Sequence, residues 1–179
     1  TTDTSLDINF TVSDETALAE CWYANDTFSV ANKSTGGCGI NVTNITWSEG
    51  LHNITIYVND TSNNVNFSTI SFRIDTTGPS ITIANPSVNN TNTTDTSLDI
   101  NTTITDAGIG SLSQCLYSND SYTVNRSFGC GTNLTNITWS EQQHNVTIYS
   151  NDTLGNLGSN GISFRIDTTL PAVSITTPA

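Results

Sequence analysis

The chain repeats itself with a period of 92 residues, and this repeat limits the folds open to it more than any other feature. The segment TTDTSLDIN at 1–9 recurs at 93–101, and FRIDTT at 72–77 recurs at 164–169. Each copy is long enough to bury a hydrophobic core of its own. The sequence therefore predicts two tandem domains of one fold.

Within each repeat, apolar residues alternate with polar ones, as at Ile54, Ile56 and Val58. A period of two is that of a β-strand with one buried face, and turn residues separate several short runs of this kind. No helical periodicity of useful length is present. The pattern predicts an all-β fold of two tandem β-sandwich repeats of about 92 residues each, plus one additional C-terminal strand.

Two proline-containing segments mark the joints between repeats, DTTGP at 75–79 and DTTLP at 167–171. Each is followed by a short alternating strand that ends before another proline, which is typical of an edge strand. The predicted units are a first repeat at 1–77, which lacks a first strand of its own, a complete second repeat at 78–169, and a tail strand at 170–179.

Four motifs are distributed along the chain, so that the resemblance they support covers essentially all of it: I-x-I-x-x-P, D-x-S-L-D-I, H-x-[IV]-T-I-Y-x-x-D and F-x-I-D-T-T-x-P. In combination they resemble the immunoglobulin-like repeats of bacterial and archaeal cell-surface and extracellular fibre proteins. The resemblance implies that fold, and a place in a stalk, an adhesin rod or a fibre outside the cell. The asparagine-rich form with paired cysteines is more similar to archaeal than to bacterial members.

Each repeat contains one pair of cysteines, Cys21 with Cys38 and Cys115 with Cys130. No C-x-x-C motif occurs and no histidine lies at zinc-ligand spacing, so a metal site is not expected there. We predict one disulfide within each repeat, Cys21–Cys38 and Cys115–Cys130, formed in an oxidising compartment. Reduced, buried cysteines are the alternative.

Asparagine disfavours strands but is abundant here, and 17 of the 23 asparagines begin an N-x-[ST] sequon without proline. Because Ser and Thr make up roughly 30% of the chain, chance placement would give only about seven. A polar outer face of Asn and Thr explains the threonine but not the asparagine. We therefore predict N-glycosylation at most of these sites: Asn9, Asn25, Asn32, Asn41, Asn44, Asn53, Asn59, Asn66, Asn89, Asn92, Asn101, Asn119, Asn125, Asn133, Asn136, Asn145 and Asn151.

Many of these sequons have an apolar middle residue, as in N-I-T and N-V-T. Residues i and i+2 of a strand share one face, so the asparagine of such a sequon points outward while its middle residue packs inward. We expect the glycans to face solvent and to hydrate strand edges that other proteins protect with charges.

The charge balance excludes some partners. The chain has sixteen acidic and four basic residues and a net charge of −12. Binding to nucleic acids or anionic membranes requires clustered Lys and Arg, so neither is expected as a partner. No apolar run approaches the roughly 20 residues of a membrane-spanning helix, so direct membrane insertion is not expected within this sequence. Any export signal or anchor is expected to lie outside it.

No arrangement of residues indicates catalysis. His52 and His144 occupy equivalent positions without a companion nucleophile, and there is no nucleophile elbow or phosphate loop, so we expect no enzyme and no cofactor. Calcium at the joint acids Asp75 and Asp167 is one interpretation, and Asp side chains capping turns is the other. Trp47 and its counterpart Trp139 are expected in the core. Trp22 is expected to have no shared role, because Leu116 replaces it in the second repeat.

The strands predicted for the first repeat and for the tail suggest how copies join. The first repeat lacks an I-x-I-x-x-P strand, and the strand containing Val173 and Ile175 has no repeat behind it. We predict that Val173 and Ile175 insert into the first repeat of an identical subunit, giving a head-to-tail filament. The rival interpretations are an adhesin stalk or binding module in a long continuous chain of such repeats, and an accessory domain of an exported enzyme.

Overall fold

The computed structural model describes residues 1–26, 33–108, 110–120 and 125–177. It divides into two compact units, the first repeat at Thr1–Thr76 and the second repeat from Thr77 onward. Its regular structure is all-β, which confirms the expectation from the two-residue periodicity. The strands are β1 (Leu18–Asn25), β2 (Lys33–Ser34), β3 (Gly50–Asp60), β4 (Val65–Ile74), β5 (Ser80–Asn85), β6 (Thr91–Thr93), β7 (Asn101–Thr105), β8 (Leu112–Asn119), β9 (Arg126–Phe128), β10 (Gln143–Asp152) and β11 (Leu157–Ile166). No helix in the described ranges has the length and apolar character needed to cross a membrane.

The first repeat contains a four-stranded antiparallel sheet in the order β2-β1-β3-β4. Alternation decides which face of this sheet is buried. On β3, Ile54 and Ile56 point into the core, and Asn53 and Thr55 lie on the other side of the strand. The core is completed by Val42, which lies in a loop and forms an isolated β-bridge with Ile8.

The second repeat has a five-stranded sheet in the order β6-β11-β10-β8-β9 and a two-stranded sheet of β5 and β7. Val146 and Ile148 on β10 correspond to the core isoleucines of β3, and both are fully buried. The two sheets share one core cluster, to which β5 contributes Ile81 and β7 contributes Ile104. The second repeat is therefore a closed β-sandwich.

A buried tryptophan anchors each core, as the alternation predicts. The indole Nε1 of Trp47 donates to the carbonyl of Leu6, and that of Trp139 donates to Leu98, both at 2.9 Å. Trp139 meets Phe164 edge to face with ring centroids 5.0 Å apart. A buried indole needs a partner for its N–H, so these bonds allow tryptophan to fill the core without an unsatisfied donor.

Both predicted disulfides are present, Cys21–Cys38 and Cys115–Cys130, and neither pairs with the other repeat. Each closes a local loop, with sequence separations of 17 and 15 residues. Each links β1 or β8 to the irregular segment that follows β2 or β9. The bonds therefore hold together parts of the repeat that share few strand pairings.

Replacing Cys115 and Cys130 together by alanine is expected to lower the free energy of unfolding of the second repeat by about 3 kcal/mol, since the loop then adds its conformational entropy to the unfolded chain. Urea unfolding under non-reducing conditions measures this. Peptide mapping without reductant should recover only the two local pairs, and a Cys21–Cys115 link or free thiols would contradict the assignment.

The repeats differ in one important respect. Residues 101–105 form β7, but the equivalent residues 9–13 form no strand, and within the described residues 1–17 the only β-bridge is that of Ile8 with Val42. The alternation at Leu6, Ile8, Phe10 and Val12 predicts a strand, so this part of the prediction is wrong for the isolated chain. A strand requires a partner to pair with, and β5 supplies it in the second repeat alone.

Candidate functional site

Strand β5 covers a surface of the second repeat whose equivalent in the first repeat is left open by the described residues. It pairs antiparallel with β7, with Ile81 opposite Ile104 and Ile83 opposite Thr102. Its inward side chains cover the apolar face formed by β10 and β11, and Ile81 is buried. The alternating isoleucines bury apolar surface from one side of a single strand.

The start of β5 lies unusually close to β11. A Cβ added to Gly158 would be 1.9 Å from the carbonyl oxygen of Pro79, and one added to Gly78 would be 2.2 Å from that of Leu157. Only glycine fits at both places. Further along, Asn160 donates from Nδ2 to the carbonyl oxygen of Ile81 at 2.8 Å.

In the first repeat the corresponding region is an open groove of about 520 Å³. The groove has a predominantly apolar floor, and polar side chains lie along β4 at its rim. We call it the open groove; its lining consists of residues 8–13, Ile54, Ile56, Val58 and residues 66–70. These are the equivalents, 92 residues earlier, of the surface that faces β5 in the second repeat.

Equivalent side chains in the two repeats differ in exposure, because no strand among the described residues covers the groove of the first repeat. Ile70 on β4 is 54% exposed, whereas its equivalent Ile162 on β11 is 9% exposed. Phe10 and Val12 are half-buried, but the β7 residues in their places are buried. The first repeat thus presents apolar surface that the second repeat covers with its own chain.

The tail segment, residues 170–177, has the β5 pattern but forms no strand. Val173 and Ile175 are 92% and 90% exposed. Within the described residues no strand pairs with this segment, and it is not folded back onto the second repeat. The last two residues of the predicted tail strand lie outside the described residues.

The sequon asparagines are mostly accessible. Five are half-buried: Asn59, Asn101, Asn119, Asn145 and Asn151. Ten are exposed: Asn9, Asn41, Asn44, Asn53, Asn66, Asn89, Asn92, Asn125, Asn133 and Asn136. Asn32 lies outside the described residues. Where the middle residue is apolar, it generally packs inward as expected, as Ile54 and Val146 do.

In two sequons the asparagine does not lie on the outer face of the sheet. Asn25 is only 6% exposed, because β1 turns its side chain toward the interior, so the structure leaves no room for a sugar there. In the Asn66–Ser68 sequon the faces are reversed, since Phe67 is 64% exposed and Asn66 lines the open groove. The face is set by the register of β4 against β3, and Phe67 pairs with the outward Tyr57.

We expect an intact mass well above the 19.1 kDa of the polypeptide when the chain is produced in a host that glycosylates N-x-[ST]. Glycopeptide mapping should find sugar at accessible sites such as Asn44, Asn53, Asn136 and Asn145, and none at Asn25. An intact mass equal to that of the bare polypeptide would refute the prediction.

The two histidines considered for chemistry are occupied by structural contacts. His144 is 2% exposed; its Nδ1 lies 2.6 Å from an Asp120 carboxylate oxygen and its Nε2 lies 2.8 Å from the Ser140 carbonyl oxygen. His52 has the same arrangement in the first repeat. Each histidine ties the end of a loop to the start of a strand, as expected of a structural role.

Aspartates at the β3 and β10 turns cap those turns. Asp60 accepts from the backbone amides of Ser62 and Asn64 and from Asn64 Nδ2, at 2.7–2.8 Å. The Asn64 side-chain amide is the main cause that lowers the pKa of Asp60 below its ordinary value. Asp152 makes the same set of bonds with Leu154 and Asn156. Both acids therefore cap their turns.

One surface feature was not foreseen from the sequence. Trp22, Tyr57 and Phe67 lie side by side across β1, β3 and β4, with successive ring centroids 5.6 and 5.8 Å apart. The planes of Trp22 and Tyr57 differ by 3°. Only the sheet register brings the three rings together, so the sequence carries no local signal for this aromatic row. The second repeat has Leu116, Tyr149 and Ser159 in these positions.

No protein-family model matches the chain, and no curated protein matches it. Among solved structures it is similar to the fibronectin(III)-like modules of Clostridium thermocellum CbhA, with 12% identity and a TM-score of 0.39 over 96% of this chain and 92% of that one. It is also similar to the human desmocollin-1 ectodomain, with 11% identity and a TM-score of 0.41 over 84% of this chain and 35% of that one. For the extracellular cadherin domains 3–6 of protocadherin gamma B2, the identity is 13% and the TM-score 0.40, over 91% of this chain and 44% of that one. At these identities and TM-scores the likenesses carry no argument about family, activity or partners.

Proposed function

We propose that the chain is a structural, non-catalytic subunit of an extracellular, N-glycosylated filament or cell-surface rod, in which identical copies join head-to-tail by strand addition. The contrast between the repeats carries this proposal. The second repeat covers its apolar sheet with β5, and the first repeat has the same sheet with an open groove. The tail segment presents the β5 pattern with both apolar side chains exposed.

The repeat period gives the register of the new contact. Val173 takes the position of the first β5 isoleucine, opposite Val12, and Ile175 takes that of the second, opposite Phe10. In this register the backbone of residues 9–13 gains hydrogen-bond partners, and the apolar floor of the groove is covered. Both gains favour association, since exposed apolar surface and unpaired strand edges are costly.

The geometry of the contact is heterologous. The groove belongs to the first repeat and the tail follows the second repeat. When two copies join, one groove and one tail are used, and the other groove and the other tail remain free for further copies. Repeating such a contact builds an open chain of subunits and not a closed dimer. A filament or rod is the assembly that follows from it.

The surface composition is consistent with an extracellular location. Disulfides persist in oxidising compartments, and the accessible sequons are suited to N-glycans. Sugars on the strand faces would hydrate a surface that has few charged residues, and would hinder edge-to-edge pairing of neighbouring strands. No cofactor is required for this role.

An adhesive stalk module is the second candidate, and the aromatic row of the first repeat favours it. Aromatic rings side by side on a sheet face suit contact with a partner, and Phe67 is 64% exposed. If adhesion depends on this row, Trp22→Ala with Phe67→Ala should abolish partner binding and leave assembly unchanged.

The test uses a full chain with Val173→Asp and Ile175→Asp as a non-associating acceptor and a synthetic peptide of residues 170–179 as donor. We expect the peptide to bind, and amide hydrogen exchange at residues 9–13 to slow when it does. A peptide with the same two aspartate substitutions is the control. Absence of binding and of protection would contradict strand addition.

A further inference from the structure

Asn66 is a sequon residue in an unusual place. It begins the N-F-S sequon, and its side chain lines the open groove instead of the outer face of the sheet. Asn53, a sequon residue on the neighbouring strand, lies on the outer face, and its Oδ1 accepts from Ser71. The two sites therefore place a glycan on opposite sides of the same sheet.

The second repeat shows what an added strand requires at this position. The equivalent of Asn66 is Gly158, and a Cβ there would be 1.9 Å from the carbonyl oxygen of Pro79. The backbone just before β5 therefore passes directly over this residue. An incoming tail segment would bring Pro171 to the same place in the first repeat.

The orientation of the side chain adds a second observation. The Oδ1 of Asn66 accepts from the backbone amide of Phe67 at 2.9 Å. Asn160 makes the same bond with Gly161, and this arrangement directs its Nδ2 onto the carbonyl oxygen of Ile81 in β5. Positions 66 and 68 share one strand face, and position 68 is the equivalent of Asn160. Asn66 is paired with Val58, which lines the open groove, so its side chain and any glycan on Nδ2 lie on the strand face that an added strand would cover.

The tail sequence fits an acceptor that has a side chain here. Leu170 replaces Gly78, whose close approach to β11 leaves no room for a Cβ. An added strand must therefore start farther from β4 than β5 starts from β11. This displacement accommodates the asparagine side chain, but a sugar ring on Nδ2 is larger than that whole side chain and lies in the same space.

We infer that Asn66 is a modification site that controls strand addition: an unmodified Asn66 admits the tail of a second copy, and an N-glycan on Asn66 excludes it. The inference rests on the proposed function. It makes glycan occupancy at one site a determinant of whether a subunit is an acceptor or a chain end, while glycans on the outer face leave assembly unaffected.

Glycopeptide mapping of separated assembled and unassembled fractions tests this directly. The chain is produced in a host that glycosylates N-x-[ST]. We expect acceptor subunits in the assembled fraction to lack sugar at Asn66, with sugar enriched there in the unassembled fraction. Occupancy at Asn53 should be equal in both fractions.

Three variants and one control, Asn53→Gln, separate the effect of the sugar from that of the side chain. Asn66→Gln and Ser68→Ala both remove the sequon and should increase the assembled fraction to the same extent, whereas Asn53→Gln should leave it unchanged. Asn66→Gly also removes the side chain, and should bind the 170–179 peptide about as tightly as Asn66→Gln, because the displaced strand already accommodates an unmodified side chain.

Different results would contradict the inference about Asn66 and the proposed function. Equal Asn66 occupancy in both fractions, with assembly intact, would overturn the inference and leave strand addition standing. Failure of every variant, Asn66→Gly included, to bind the peptide or to assemble would overturn the proposed function itself.

Discussion

A full chain carrying Val173→Asp and Ile175→Asp is expected to stay monomeric at concentrations where the unmodified chain assembles. Burying a large aliphatic side chain contributes about 1.5–3 kcal/mol, so losing two of them reduces affinity by more than 100-fold, and an unpaired carboxylate in an apolar groove adds to the loss. Light scattering and sedimentation velocity over a concentration series measure the effect.

The matched control lies between the two positions. Ser174 corresponds to Thr82, which faces outward from β5 and is exposed. Ser174→Asp adds the same charge to the same segment without entering the groove, so it should assemble nearly as the unmodified chain does. Assembly of the Val173, Ile175 double variant at unchanged affinity would contradict the role of the tail.

Phe164→Ala is expected to produce the largest loss of stability, about 3–5 kcal/mol in the second repeat. Phe164 is 0% exposed and lies between Trp139 and His144, with ring centroids 5.0 and 5.5 Å away. Removing the ring leaves a cavity that the surrounding sandwich cannot close. Hydrogen exchange read by mass spectrometry gives the loss for each repeat separately.

The equivalent substitution in the first repeat supplies the comparison. Phe72 packs edge to face on Trp47 but is only half-buried, whereas Phe164 is fully buried and pairs with Thr91 of β6. Phe72→Ala should therefore cost less than Phe164→Ala. An equal or larger cost in the first repeat would show that its core is as closed as that of the second.

The sequence is sufficient for the fold where the signal is local. The alternation on β3 and β10 identifies the buried faces, and the spacing of Cys115 and Cys130 in a short loop identifies the disulfide. The tryptophans of the two N-I-T-W segments are found in the cores as expected. Each of these features depends on residues close together in the chain, so a pattern can reveal it.

The features that the sequence does not predict depend on partners from elsewhere in the chain. Residues 9–13 alternate as residues 101–105 do, but only the latter form a strand, because only they have β5 beside them. The direction of Asn66 is likewise decided by the register of β4 against β3 and not by its apolar neighbour. The aromatic row around Tyr57 follows from the same register across three strands.

A density map of the assembled chain tests the central claim most directly. We expect residues 171–177 of one copy to lie as a strand in the open groove of the next, antiparallel to residues 9–13, with Val173 opposite Val12 and Ile175 opposite Phe10. A map in which the groove is empty, or in which the tail folds back onto its own second repeat, would contradict the account.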